Sequence, residues 1–95
     1  MAARDFYLLA YDMADDKRRA RLAKAMEAVG TRVQGSVFEA YLTHKELAEV
    51  IRRTRKILDE KEDSLRIYML CGECKKKIRI YGRGKTSEPP AAVIL

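Results

Sequence analysis

The segment Phe6-Tyr7-Leu8-Leu9-Ala10-Tyr11 is apolar on both alternating faces and stops at Asp12. A short run of this kind, with no polar face to offer water, reads as a strand in the middle of a sheet. One face is Phe6, Leu8 and Ala10; the other is Tyr7, Leu9 and Tyr11. Asp12 continues the first face in phase, at the carboxyl end of the strand. The 95 residues form one domain. A chain so short buries only about 60–65% of its unfolded surface, so a partner subunit adds much to its stability.

After Met13-Ala14-Asp15-Asp16 the spacing predicts a helix to about Val29, ended by Gly30. Leu22, Met26 and Val29 form its buried stripe, and Lys17, Arg21 and Lys24 a basic stripe opposite. Arg19 lies near the apolar arc in the first turn, which directs its guanidinium back over the strand end that carries Asp12. Residues 31–42 are β-rich, with Gly35 dividing them into two strands. Thr43-His44-Lys45-Glu46 matches a capping box that opens a second helix to about Leu58. Its inward residues are Leu47, Val50, Ile51, Ile57 and Leu58, while Arg52, Arg53, Arg55 and Lys56 face mainly outward. Beyond a charged loop at 59–63, Leu65/Ile67/Met69/Cys71 alternate with Arg66/Tyr68/Leu70 in another strand. A Gly-containing turn and Lys75-Lys76-Lys77 then lead to a last strand, Ile78-Arg79-Ile80-Tyr81.

This order is βαββαβ with an extra C-terminal strand, an α+β, ferredoxin-like arrangement over residues 1–82. Two helices cover only one face of such a sheet, and soluble monomers rarely leave a large apolar patch open. A second copy, packed face to face as a homodimer, is the simplest cover. The tail, residues 83–95, carries Pro89-Pro90 and then Ala91-Ala92-Val93-Ile94-Leu95. It is expected to add a strand to the partner's sheet edge. The longest apolar run is far below the ~18 residues of a membrane span, and the N-terminus lacks a secretory cleavage pattern. The expected location is cytoplasmic, with no membrane partner.

Twenty Lys and Arg against fourteen Asp and Glu leave a net charge of +6. Such a field attracts polyanions, of which nucleic acid is the commonest in a cell. Asp12, Asp15 and Asp16 cluster between the first strand and the first helix, beside Lys17, Arg18 and Arg19. A hard cation such as Mg²⁺ takes oxygen ligands and keeps several waters, so one or two carboxylates are enough. Phosphoryl chemistry uses such an ion to neutralise developing charge, and the basic neighbours would hold the phosphate backbone. One of Asp15 and Asp16 is expected as the helix N-cap. Cys71-Gly72-Glu73-Cys74 is a lone CxxC that cannot complete a four-ligand zinc site in one chain, although two copies could supply four sulfurs if the cysteines met; plain thiols are the favoured reading. His44 is read as a surface residue at a helix start.

Three stretches, in this order and spacing, resemble the CRISPR-associated protein two family over residues 6 to about 82. They are Tyr11-Asp12-x-x-Asp15-Asp16-Lys17-Arg18-Arg19, Gly30-Thr31-Arg32-Val33-Gln34-Gly35-Ser36-Val37-Phe38-Glu39, and Asp63-Ser64-Leu65-Arg66-Ile67-Tyr68. Gly35 departs from the family, which often has an aromatic residue there. The resemblance implies a ferredoxin-like homodimer with Mg²⁺ or Mn²⁺ held between subunits by Asp12 of each. It also implies roles in activity for Tyr11, Arg19, Arg21, Arg32 and Phe38. The expected activity is metal-dependent endonuclease cleavage of RNA or DNA in CRISPR spacer acquisition and antiviral defence. Asp12, Arg19 and Arg32 are the expected catalytic residues. Tyr11, Lys17, Arg18, Arg21 and Phe38 are the expected nucleic-acid contacts. The implied partners are nucleic acid and dimers of the integrase, CRISPR-associated protein one. The rival expectation is a non-catalytic DNA-binding scaffold that bridges those dimers. A third is a toxin-like mRNA interferase, since the family resembles such toxins in fold.

Overall fold

β1 (Asp5–Asp12) lies inside the sheet, as its two apolar faces require: the strand order is β2-β3-β1-β4. These coordinates, a computed structural model, describe residues 3–87. The remaining elements are α1 (Asp16–Glu27), β2 (Thr31–Gln34), β3 (Val37–Leu42), α2 (His44–Ile57), β4 (Ser64–Leu70) and α3 (Gly72–Lys76). Every pairing is antiparallel. Tyr7, Leu9 and Tyr11 face the helices and pack with Leu22, Ala23 and Met26 of α1, Val50 of α2, and Phe38, Ala40 and Leu42 of β3. Leu9, Leu22 and Phe38 have no exposed surface. Burial of this kind contributes about 1.5–3 kcal/mol for each such side chain. The opposite face of β1, with Phe6, Leu8 and Ala10, is covered by neither α1 nor α2.

Both long helices begin where the sequence places a cap. The Asp15 carboxylate accepts from the Arg18 backbone N–H at 2.8 Å, satisfying one of the orphan donors of the first turn. At α2 the full capping box is present: Thr43 Oγ1 accepts from the Glu46 N–H, and Glu46 Oε1 accepts from the Thr43 N–H. Arg4 grips the same carboxylate through Nε and Nη2, at 3.0 and 2.9 Å. Thr43 is the whole connection between β3 and α2.

α1 ends at Glu27 with Ala28 as its C-cap, short of Gly30, whose role is steric. A Cβ at this position would fall 2.6 Å from the Glu39 carbonyl oxygen and 3.1 Å from the Ala40 Cβ. Its absence lets the α1–β2 connection lie directly on β3.

The expected strand at Ile78-Arg79-Ile80-Tyr81 is not formed. β4 ends at Leu70 and Cys71 becomes the N-cap of the short α3. Residues 79–85 then pass beside the open face, forming with Leu8, Val37 and Glu39 a groove of about 630 Å³. Alternating apolar residues give a segment two faces, but a strand also needs a free ladder edge to bond with. This segment meets a face instead, and Gly82 and Gly84, at φ +92° and +120°, turn the backbone out of the extended region. The strand expected from the tail falls on residues 88–95, outside those described.

Gly30→Ala is expected to lower stability by about 1–3 kcal/mol, because the blocking atom is backbone and must shift. Gly35→Ala, with nothing within 4 Å of the added Cβ, should leave stability nearly unchanged. Urea unfolding midpoints of the two variants check the contrast.

Candidate active site at the end of the first strand

β1 delivers Asp12 to the sheet's end, opposite Ser64 of β4, with the carboxylate exposed. Met13 turns back into the core, which holds the chain tightly between strand and helix. The carbonyl of Met13 accepts from Arg19 Nη1 at 2.9 Å, and Arg19 Nη2 also bonds the Asp16 carboxylate. The guanidinium thus lies at the strand exit, where helical spacing puts it. Asp15 caps α1 and the exposed Asp16 is paired with Arg19, whereas the exposed Asp12 carboxylate has neither engagement. Among the described residues no group of three or more His, Cys, Asp or Glu can hold a metal ion.

A second layer lies under the first. The Arg32 guanidinium sits 5.2 Å from the centre of the Phe38 ring, a cation–π distance. Phe38 in turn stacks on Tyr11, with ring centres 6.2 Å apart and planes 24° from parallel. The Tyr11 hydroxyl donates a long hydrogen bond to the Gly35 carbonyl, at 3.4 Å. Burial pushes the Tyr11 phenol up; Arg32 opposes this, Glu27 adds to it and Arg19 opposes it. Arg32 also pairs with Glu27 at 3.1 Å. The site residues Tyr11, Arg19, Arg32 and Phe38 therefore gather at one end of the sheet. Phe38, however, is fully buried, so its expected base contact is replaced by packing beneath Arg32.

Arg18 departs from its expected place on nucleic acid. Its Nε donates to Asp63 Oδ2 at 2.7 Å and its Nη2 to Asp63 Oδ1 at 3.2 Å, with Glu62 a further partner at 3.3 Å. The Asp63 side chain has no exposed surface, and the Asp59 N–H donates to it as well. Arg18 holds the Asp63 carboxyl below the usual carboxylate range, helped by the Asp59 N–H and opposed by burial. The pair ties the start of α1 to the start of β4, the two elements that flank Asp12. Lys17 and Arg21 remain exposed, as their helical stripe requires.

One polar residue went unread. Glu39 is buried on the open face, where its Oε1 accepts from both the N–H and the hydroxyl of Ser87, at 2.9 and 2.8 Å. The Tyr41 hydroxyl donates to the Ser87 carbonyl at 2.9 Å. A lone acid within Val37–Leu42 was the available signal.

The architecture and site define a small basic α+β protein with an exposed aspartate and a held arginine at the exit of a central strand. The family described as CRISPR associated protein Cas2 matches residues 5–78. The chain is 43% identical over 89 residues to "CRISPR-associated endoribonuclease Cas2 3" of Synechocystis sp., covering 94% of this chain and 97% of that one. It superposes on the crystal structure of a hypothetical protein from Thermus thermophilus with TM-score 0.80 and 41% identity, covering 90% and 99% of the two chains. A chain of a partial Cas6-RT-Cas1–Cas2 complex matches with TM-score 0.71 and 31% identity, over 80% and 89%. This chain belongs to the Cas2 family.

The lowered pKa of Asp63 sets a pH dependence. A group whose folded pKa is depressed adds stability in full above its unfolded value, and that stability is lost as pH falls through the folded value. The unfolded value is about 3.9. The melting-temperature advantage of the wild type over Asp63→Asn should be full at neutral pH and shrink only in more acid solution. Thermal unfolding of both proteins across that range checks the sign.

Proposed function

We propose that this chain is an endonuclease of CRISPR spacer acquisition and antiviral defence that cleaves phosphodiester bonds in RNA or DNA as a homodimer. The observation that carries this reading is the exposed Asp12 carboxylate beside an Arg19 guanidinium already fixed to the Met13 carbonyl. The name of the Synechocystis relative, an endoribonuclease, supports it. The β2-β3-β1-β4 order supports a ferredoxin-like tracing, and the sheet face left uncovered by α1 and α2 supports a face-to-face pair.

One exposed carboxylate per chain that is not already paired with an arginine is a thin donor set, and it fits a hard, water-retaining cation when Asp12 of a second copy joins it. Asp12 of each subunit would hold Mg²⁺ or Mn²⁺, which when bound supplies Lewis acidity and neutralises phosphoryl charge. Arg19 then binds a phosphate oxygen from a position that costs little further ordering. Arg32, resting on Phe38, does the same from β2. Lys17 and Arg21 attract the backbone from the outer face of α1. Tyr11 and Phe38 hold the floor. His44 opens α2 at the opposite end of the sheet, so no histidine serves as a base here and turnover is modest. The working location is the cytoplasm.

A second reading is favoured by the likeness to a chain of a Cas1–Cas2 complex. In it the chain is a scaffold that binds duplex DNA and bridges Cas1 integrase dimers without cutting. Asp12→Asn separates the two readings. The enzyme reading expects cleavage of labelled RNA or DNA in magnesium to fall about a hundredfold, roughly 2.7 kcal/mol of barrier. Sizing and nucleic-acid affinity should persist. Equal cleavage by both proteins would leave the scaffold.

Binding itself should be steeply salt-dependent and almost indifferent to sequence. Each phosphate contact adds about −0.9 to the slope of log K against log[salt] on duplex DNA, so Lys17→Ala and Arg21→Ala should each flatten it by up to that amount. A slope near zero for the wild type would remove nucleic acid from the reading.

A further inference from the structure

The CxxC stands apart from this site. β4 runs antiparallel to β1, so Cys71 and α3 lie at the end of the sheet where β1 begins, far from Asp12. Cys71 caps α3 with extended backbone, φ −68° and ψ 169°. Its carbonyl accepts from the Lys75 N–H at 2.9 Å, closing the turn. Residues three apart on a helical turn have Cα atoms about 5 Å apart. That separation lies inside the range a disulfide spans. Both cysteines are exposed, free thiols.

The Cys74 and Glu73 backbone and the Cys74 thiol lie around the Cys71 sulfur within the turn, though Cys71 makes no side-chain cap hydrogen bond. These contacts hold the Cys71 thiol below its ordinary range, and the same contact with Cys71 pushes the Cys74 thiol up. Lys75, Lys76 and Lys77 follow directly. Lys75 is drawn over the Tyr41 ring, 4.5 Å from its centre, with Lys76 paired to Glu73 at 3.5 Å. A divalent metal is the poorer ligand for this turn: one chain offers two sulfurs where zinc takes four donors, and the lysines oppose a cation.

We propose that Cys71 and Cys74 form a redox-active dithiol that exchanges with low-molecular-weight disulfides, Cys71 attacking and Cys74 resolving. The Cys71 thiolate attacks one sulfur of glutathione disulfide. A Cys71–glutathione bond forms, the glutathione S–S bond breaks, and one glutathione leaves as thiolate and takes up a proton. The Cys74 sulfur then gives up its proton and attacks Cys71, releasing the second glutathione. The protein pair loses two electrons and two protons, and the glutathione disulfide gains them.

The test treats the full chain with glutathione disulfide at neutral pH and follows intact mass. Wild type should lose both thiol hydrogens and retain no glutathione. Cys74→Ser should stop at the mixed disulfide with one glutathione attached. Cys71→Ser should react about tenfold more slowly, as expected for the less ionised thiol. Brief alkylation of untreated wild type by iodoacetamide, mapped by peptide mass, should label Cys71 ahead of Cys74 and needs no variant to fold. Equal labelling of the two sulfurs would overturn the assignment of roles. A wild type that stays glutathionylated, or links chain to chain instead of closing on itself, would overturn the dithiol.

Discussion

A carboxylate with no exposed side-chain surface is costly unless every oxygen finds a donor. Asp63 meets that demand with both arms of Arg18 and the Asp59 N–H. The consequence is geometric. α1 and β4 are far apart in sequence, and the pair fixes the first turn of one against the first residues of the other. Asp12 leaves β1 between them, and Arg19 is the next residue on α1. The separation of Asp12 from Arg19 thus depends on an ion pair in which neither takes part. Removing one partner would leave the other buried and unpaired, so the pair is better understood as a positional constraint than as net stabilisation.

The two faces of the sheet divide the labour. The helix-covered face is filled by Leu9, Leu22, Met26 and Phe38 and supplies cohesion. The other face is crossed by residues 79–85 and clasped at Ser87 by Glu39 and Tyr41. That clasp pins the chain just before its apolar end. Lys75 covers Phe6 and Tyr41 near the start of β1. Part of this face is therefore met by groups of the same chain, while Tyr68 and Tyr81 stay exposed.

The elements set by local chemistry were legible in sequence. Asp15 and Thr43 announced their helices through caps, Gly35 its hairpin, and the double-sided run at 6–11 its interior strand. Arg19 followed from helical angle alone. The errors have one source, which is that pattern does not name partners. Ile78–Tyr81 had the alternation of a strand but lies along a groove with β2 and the open face without pairing to a ladder. Arg18 carried the same charge as Lys17 and Arg21, and only tertiary structure revealed the buried acid 45 positions away. Phe38 has the family's motif position but lies too deep to touch a ligand. The family resemblance agreed with the α+β class; it could not separate exposed residues from buried ones.

The single-residue join at Thr43 carries a further meaning. With both strand and helix anchored on it, the chain has no slack between β3 and α2. Adding one residue there would rotate α2 by roughly 100° about its own axis. Val50 and Thr54 would turn out of the core, and the arginines of the outer surface would turn in. Strand register and helix azimuth are thus geared together, and this joint is one at which the chain has no room for length variation.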